Sequence, residues 1–141
     1  MVWLTRRATF SASHYYWNDA WSKEKNEEVF GRCARLSGHG HNYTLEVTVA
    51  GEADPVTGFV IDLKRLKDVI ERVVLADFDH RHLNLDVAEF AAGKLIPTTE
   101  NIAVAAWKRL EPAIQAEGGV GLSRIRVYET PDIFAEYRGG K

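Results

Sequence analysis

A single cysteine, Cys33, is all the thiol chemistry in this sequence, so no intramolecular disulfide can form and a reducing compartment, the cytoplasm, is the default expectation. No apolar run approaches the roughly 20 residues needed to span a bilayer. The N-terminal residues alternate like a strand and do not form the apolar stretch of a signal peptide. Neither sign of charge dominates: 18 Lys and Arg stand against 20 Asp and Glu, a formal net charge of −2, which gives no electrostatic reason to expect nucleic acid or an acidic membrane as partner. Internal repeats and low-complexity segments are missing too. What remains is ordinary for a globular protein: 45% hydrophobic and 27% charged over 141 residues, enough for one domain with its own core.

The hydrophobic pattern predicts an α+β fold, an antiparallel sheet with two helices on one face. Val2 to Ser13 and Asn42 to Gly51 read as the first two strands. The charge run Ser22 to Glu28 between them reads as the solvated face of a long loop, one that delivers Cys33 at its end. Asp54-Pro55-Val56-Thr57-Gly58 is a turn signal, and Phe59-Val60-Ile61 reads as a short strand after it. Asp62 caps a helix carrying Leu63, Leu66, Val69, Ile70, Val73 and Val74 at helical spacing. Thr98 or Thr99 caps a second, with Ile102, Ala105, Ala106 and Leu110 on one stripe and Pro112 expected to kink or shorten it. Leu122 to Thr130 and Phe134 to Tyr137 complete the strands.

The most telling segment is Ser37-Gly38-His39-Gly40-His41-Asn42-Tyr43. On an extended strand His39 and His41 leave the same face, and Tyr43, Leu45, Val47 and Val49 continue that apolar phase. His14 follows Leu4, Ala8, Phe10 and Ala12 in the same kind of alternation, broken only by Arg6. Any one of these histidines taken alone is better read as a turn or strand-end residue. Three on facing apolar phases point to a catalytic zinc, whose three protein ligands leave a fourth position open. Nickel, copper and iron also accept imidazole, but zinc needs no redox chemistry.

Cys33, six positions before His39, is close enough in sequence to place its sulfur beside such a metal; an inert buried thiol or a fourth ligand are equal readings. Asp79-His80 is a candidate carboxylate–imidazole pair for proton transfer, with His82 a competitor for the role of base. Glu129 follows Ile125 and Val127 in the inward phase, which puts a carboxylate on a buried face. Either an internal arginine pairs with it, or the strand end reaches solvent, or it accepts the planar amidine-like edge of a ligand such as a pterin.

Phe10-Ser11-Ala12-Ser13-His14, the Cys33 to Tyr43 segment, Thr57-Gly58-Phe59-Val60-Ile61-Asp62-Leu63, Phe78-Asp79-His80, Pro97-Thr98-Thr99-Glu100-Asn101 and Val127-Tyr128-Glu129-Thr130, in this order, resemble the 6-pyruvoyl-tetrahydropterin synthase family. That family includes the 6-carboxy-tetrahydropterin synthases of queuosine biosynthesis. The resemblance implies the tunnelling fold, a four-stranded antiparallel sheet with two helices on one face, with trimers closing into a β-barrel and two trimers stacking into a homohexamer. It implies zinc on His14, His39 and His41, proton transfer by Cys33 with Asp79 and His80, and a pterin held by Glu129 with help from Thr99 and Glu100. The implied substrate is 7,8-dihydroneopterin triphosphate, converted to a 6-pyruvoyl product with loss of triphosphate, or to a 6-carboxy product with loss of acetaldehyde. Tyr15-Tyr16 and His82 depart from the family pattern, at positions that bear on side-chain specificity. The competing classes are a cysteine hydrolase using Cys33, His80 and Asp79, and a non-catalytic pterin- or metal-binding oligomer.

Overall fold

A computed structural model describes residues 1–140. Strands β1 (Val2–His14) and β2 (His39–Gly51) pair antiparallel over their full length, from Val2 opposite Gly51 to His14 opposite His39. Period-two alternation sorts their side chains. Phe10, Ala12, Tyr43, Leu45, Val47 and Val49 are buried on one face, while Thr5, Arg7, Glu46 and Thr48 take the other. On that second face the Thr5 and Thr48 hydroxyls bond at 2.7 Å, and the buried Glu46 carboxylate is neutralised by Arg7 at 2.7 Å and Arg124 at 3.7 Å. β2 begins at His39, three residues before the expected start, so both histidines lie within the ladder.

The chain between these strands is not the open loop its charge suggests. Ser22 Oγ accepts from Lys25 N at 3.1 Å and starts α1 (Lys23–Phe30), and a 3-10 turn, Gly31–Ala34, follows with Cys33 in it. The helix has almost no apolar stripe to betray it. Its single buried residue is Asn26, whose amide accepts from Asn18 N and donates to the carbonyls of Asn18 and Ser22, tying residues 18–22 down.

After β2, the Asp54 carboxylate collects the backbone N–H groups of Val56 and Thr57 and closes the turn. Phe59 to Ile61 is bent and half exposed at Phe59, not a strand. Asp62 caps α2 (Leu63–Ile70), as its carboxylate accepts from Lys64 N at 2.8 Å. Leu66, Val69 and Ile70 turn inward, whereas Leu63, the first residue of the expected stripe, faces solvent. The helix continues through a π-helical turn, Glu71–Leu75, into α3 (Ala76–Phe78).

Next come β3 (Arg81–His82), α4 (Leu83–Asp86), a 3-10 turn Ala88–Phe90, and α5 (Thr99–Gln115). α5 lays Ile102, Ala103, Ala105, Ala106, Trp107, Leu110 and Ile114 against the sheet, each fully buried large aliphatic side chain contributing about 1.5–3 kcal/mol. It runs past Pro112 to Gln115, so the proline does not end it; within the last turns of a packed helix one missing donor is tolerated. β4 (Val120–Thr130) and β5 (Ile133–Tyr137) complete a sheet of order β3-β1-β2-β4-β5. The sheet therefore has five strands, not four, and is not wholly antiparallel: β3 lies parallel to β1 through Ala12–Arg81 and Ser13–His82. A two-residue strand is too short for alternation to reveal. A bulge at Thr48/Val49 opposite Arg124 and Leu122 brings Leu122 back to the helix side. Among the described residues no helix is long and apolar enough to cross a membrane.

Candidate metal centre and active site

Because β1 and β2 end in register, His14 and His39 are cross-strand partners, and His41 stands two residues along the same face. Their ring nitrogens converge with a Glu129 carboxylate oxygen, all four ligand atoms lying within 4.8 Å of one another. His14 Nε2 and His39 Nε2 are 3.1 Å apart. Two nitrogens bound at 2.0–2.1 Å to one tetrahedral ion would stand about 3.3 Å apart.

Proton placement favours the same reading. His14 is fully buried, and its Nδ1–H donates to the Pro97 carbonyl at 2.8 Å, with the Tyr43 hydroxyl 3.1 Å from the same nitrogen. That fixes the tautomer and leaves the Nε2 lone pair aimed at the cluster. Burial, reinforced by the neighbouring imidazoles, pushes the His14 pKa down to about 4, so the ring is neutral at pH 7 as a ligand must be. Burial also lowers His41, against the opposing pull of Glu129. His41 Nε2 lies 3.0 Å from Glu129 Oε1 but is buried without an aligned hydrogen bond. A buried nitrogen in that condition calls for a ligand. The donor set fits a zinc-class ion.

Gly38 is the only residue type that fits its place beside the centre: its φ is +75°, and a Cβ there would lie 2.9 Å from the His14 carbonyl oxygen and 3.1 Å from His82 Nε2.

Glu129 stands on the buried face, and its ion-pair partners among the described residues are imidazoles rather than an arginine. Its Oε2 accepts from the Thr99 hydroxyl at 3.2 Å. Thr99 opens α5, whose cap is Thr98, with Oγ accepting from Asn101 N at 3.1 Å. Pro97-Thr98-Thr99 thus orients a histidine, starts a helix and holds a carboxylate in three consecutive residues. Glu100 is exposed in the first turn of α5, near enough to act on Tyr16.

Cys33 is half-buried, its carbonyl accepting from Tyr16 N at 2.7 Å. Burial first, then Glu129, raises its pKa, so within one chain nothing promotes the thiolate. Tyr16 sits against it, its ring packed edge-on to His14 at 5.0 Å and to Phe30 at 5.8 Å.

Asp79 and His80 form a separate pair. Ser11 N donates to Asp79 Oδ1 at 2.9 Å, and His80 N donates to the Ser11 carbonyl at 2.6 Å, which docks the pair on the outer edge of β1. The Ser11 N–H, followed by His80, lowers the Asp79 pKa and keeps it ionised. His80 Nδ1 lies 3.0 Å from Asp79 Oδ1, its side chain is 83% exposed, and its backbone is left-handed at φ 59°. A non-glycine residue held there is uncommon and marks a constrained position. No hydrogen bond joins Cys33 to Asp79 or His80 among the described residues. His80 instead shares an open cavity of about 410 Å³ with His41, Asn42, Ser11 and His82. His82 is fixed by its own N–H donating to Asp86 at 2.8 Å, and its Nδ1 is buried without a partner.

The Pro97 carbonyl, Tyr43 and Ser11 were not among the expected site residues, and Tyr16 stood there only as a departure from the family pattern. Tyr43 could have been found, since it continues the phase of His39 and His41; a backbone carbonyl leaves no mark in sequence.

A family model described as 6-pyruvoyl tetrahydropterin synthase matches residues 3–140. The human protein named 6-pyruvoyl tetrahydrobiopterin synthase is 42% identical over 136 residues, covering 96% of this chain and 90% of that one. An Archaeoglobus fulgidus protein named putative 6-carboxy-5,6,7,8-tetrahydropterin synthase is 36% identical over 107 residues, 76% of this chain and 79% of its own. The solved structure of Caenorhabditis elegans 6-pyruvoyl tetrahydropterin synthase superposes with a TM-score of 0.90 at 35% identity, covering 99% of this chain and 96% of that one. By sequence and by fold alike, the chain belongs to the 6-pyruvoyl tetrahydropterin synthase family.

Proposed function

We propose that this chain is a zinc-dependent lyase acting on 7,8-dihydroneopterin triphosphate, eliminating triphosphate and yielding the 6-pyruvoyl product. The observation that carries the reading is the convergence of the His14, His39 and His41 nitrogens beside a Glu129 carboxylate braced by Thr99. His14, His39 and His41 would hold the zinc, which when bound supplies a Lewis acid for the hydroxyls of the substrate side chain. Glu129 accepts the 2-amino and N3–H edge of the pterin, with Thr99 fixing the carboxylate rotamer and Glu100 at the rim. Cys33 carries protons to and from the side-chain carbons. Its raised pKa means that it needs a base, and Asp79–His80 is the base available, with Asp79 ionised and orienting the imidazole.

Since Cys33 and His80 are not joined within one chain, the complete site draws them from different copies. That supports three single-domain copies closing a barrel around the polar sheet face of Arg7, Glu46, Arg124 and Arg126, and two such trimers making a hexamer. The lone free cysteine supports work in the reducing cytoplasm. A cysteine hydrolase is the weaker reading, because it needs an activated thiolate and burial and Glu129 oppose one. The 6-carboxy product from the same substrate is the second reading, favoured by the relatives bearing that name.

The test is to incubate the zinc-loaded protein with 7,8-dihydroneopterin triphosphate, with and without chelator, and to identify products by mass spectrometry. Chelator-sensitive 6-pyruvoyl product is expected. A 6-carboxy product with acetaldehyde would move the protein to the second branch, and no turnover would remove the proposed substrate.

A further inference from the structure

Tyr16 brings a phenol into the centre, and the mechanism above gives it no task. Its ring is wedged between His14 (5.0 Å) and Phe30 (5.8 Å), and its own backbone N–H grips the Cys33 carbonyl at 2.7 Å. The charged and thiol groups that act on the hydroxyl are Glu129, Cys33 and Glu100, the same three to which the proposed function gives the pterin, the proton transfer and the rim; Tyr43 also lies within its range. The ring is therefore packed between two aromatic neighbours and its backbone is tied to Cys33, while the hydroxyl makes no hydrogen bond to any described residue. This contrasts with Tyr43, the other phenol at the centre, whose hydroxyl reaches His14 Nδ1 at 3.1 Å. A phenol with an ordinary pKa near 10 is protonated at pH 7, and Tyr16 is half-buried, so its hydroxyl stays open to water. A substrate in the site would displace that water and offer an acceptor in its place.

We propose that Tyr16 is a substrate-contacting residue whose hydroxyl donates a hydrogen bond to an acceptor oxygen or nitrogen of the bound pterin substrate, between the edge held by Glu129 and the Cys33 thiol. The proposal rests on the pterin-lyase reading and gives that site a specificity element. A donor at this point restrains the heterocycle relative to the thiol, and so governs how often the side chain is presented for the productive proton transfer.

The experiment compares wild type with Tyr16→Phe, which keeps the ring packed on His14 and Phe30 and removes only the donor, and with Tyr16→Leu, which removes both. Metal content, melting temperature, kcat, KM and product ratio on 7,8-dihydroneopterin triphosphate are measured for each. For Tyr16→Phe, kcat/KM should fall by about tenfold, the worth of one hydrogen bond to substrate, with metal content and melting temperature unchanged. Tyr16→Leu should lose as much or more. If Tyr16→Phe matches wild type in kcat, KM and product ratio, or if its lost activity is accounted for by lost metal or lost fold, Tyr16 is packing and the proposal is wrong. Absence of turnover by wild type would instead sink the pterin-lyase reading on which it rests.

Discussion

Arg109 on α5 is the most heavily bonded side chain outside the metal centre, and replacing it by methionine isolates what it does. Its guanidinium makes a bidentate pair with Glu89 at 2.6 and 2.8 Å, pairs with Asp77, donates to the Val73 carbonyl inside the π-helical turn at 3.1 Å, and lies over the Phe78 ring at 5.0 Å. Methionine keeps most of the stem packing and removes every polar contact. Breaking a buried charge pair costs about 3–5 kcal/mol. Here the Glu89 and Asp77 side chains are 30% and 58% exposed and would regain water, so a figure at or below the lower end of that range is appropriate. We expect a loss of about 2–3 kcal/mol at pH 7, or roughly 6–12 °C in melting temperature.

The pH dependence makes the test sharper. Arg109 holds the Glu89 pKa below its ordinary value, so the stabilisation is complete above the unfolded carboxylate pKa of about 4.3 and disappears as pH falls through the folded value. Urea unfolding of metal-free wild type and Arg109→Met, at steps from pH 7 to pH 3, removes interference from metal binding at the histidine cluster. The gap between the two should be largest at neutral pH and should narrow below about 4.3. A deficit under about 1 kcal/mol at pH 7, or one that persists unchanged in acid, would refute the reasoning.

Replacing His39 or His41 by alanine should abolish metal binding and turnover together, measured by bound-metal analysis and product assay; full turnover in a metal-free double variant would end the zinc assignment. Thr99→Val should leave the fold intact but free the Glu129 carboxylate, raising KM for the pterin by about five- to tenfold, read by steady-state kinetics with metal content as control. Gly38→Ala should cost about 1–2 kcal/mol in backbone strain alone, and because the new Cβ meets the His14 carbonyl it should also weaken metal affinity, measured by competition with a chromogenic chelator.

What the sequence revealed and what it hid have different physical causes. His14, His39, His41 and Glu129 were legible because strand alternation is rigid: phase alone decides which face a side chain takes. The capped starts at Asp62 and Thr98 were legible for the same reason, a local rule with a local cause. α1 was hidden because its inward face is a single asparagine, so the helix satisfies backbone groups of residues 18–22 and presents no apolar stripe. β3 was hidden because two residues carry no period, and its place beside β1 comes from the Ser11, Asp79 and His80 contacts. The Pro97 carbonyl and the open hydroxyl of Tyr16 depend on how separate elements approach one another, which no spacing along the chain encodes.

The pairing of His14 with His39 on the last rung of a ladder in which each strand has 13 residues would give a bound metal a part in selecting the fold as well as in the proposed chemistry. A slip of one residue between β1 and β2 would turn one strand's side chains to the opposite face and part the two imidazoles. A slip of two keeps the faces; in one direction it carries His14 past His39, and in the other it sets His14 opposite His41. Bound metal would therefore favour the native alignment over any one-residue slip, by an amount that grows with the logarithm of free metal. Newly made chains short of the proposed metal would therefore lose the contribution that reads the ladder from its end, and mispaired β1–β2 hairpins would be left to the apolar core and to the Thr5–Thr48 and Arg7–Glu46 pairs to correct.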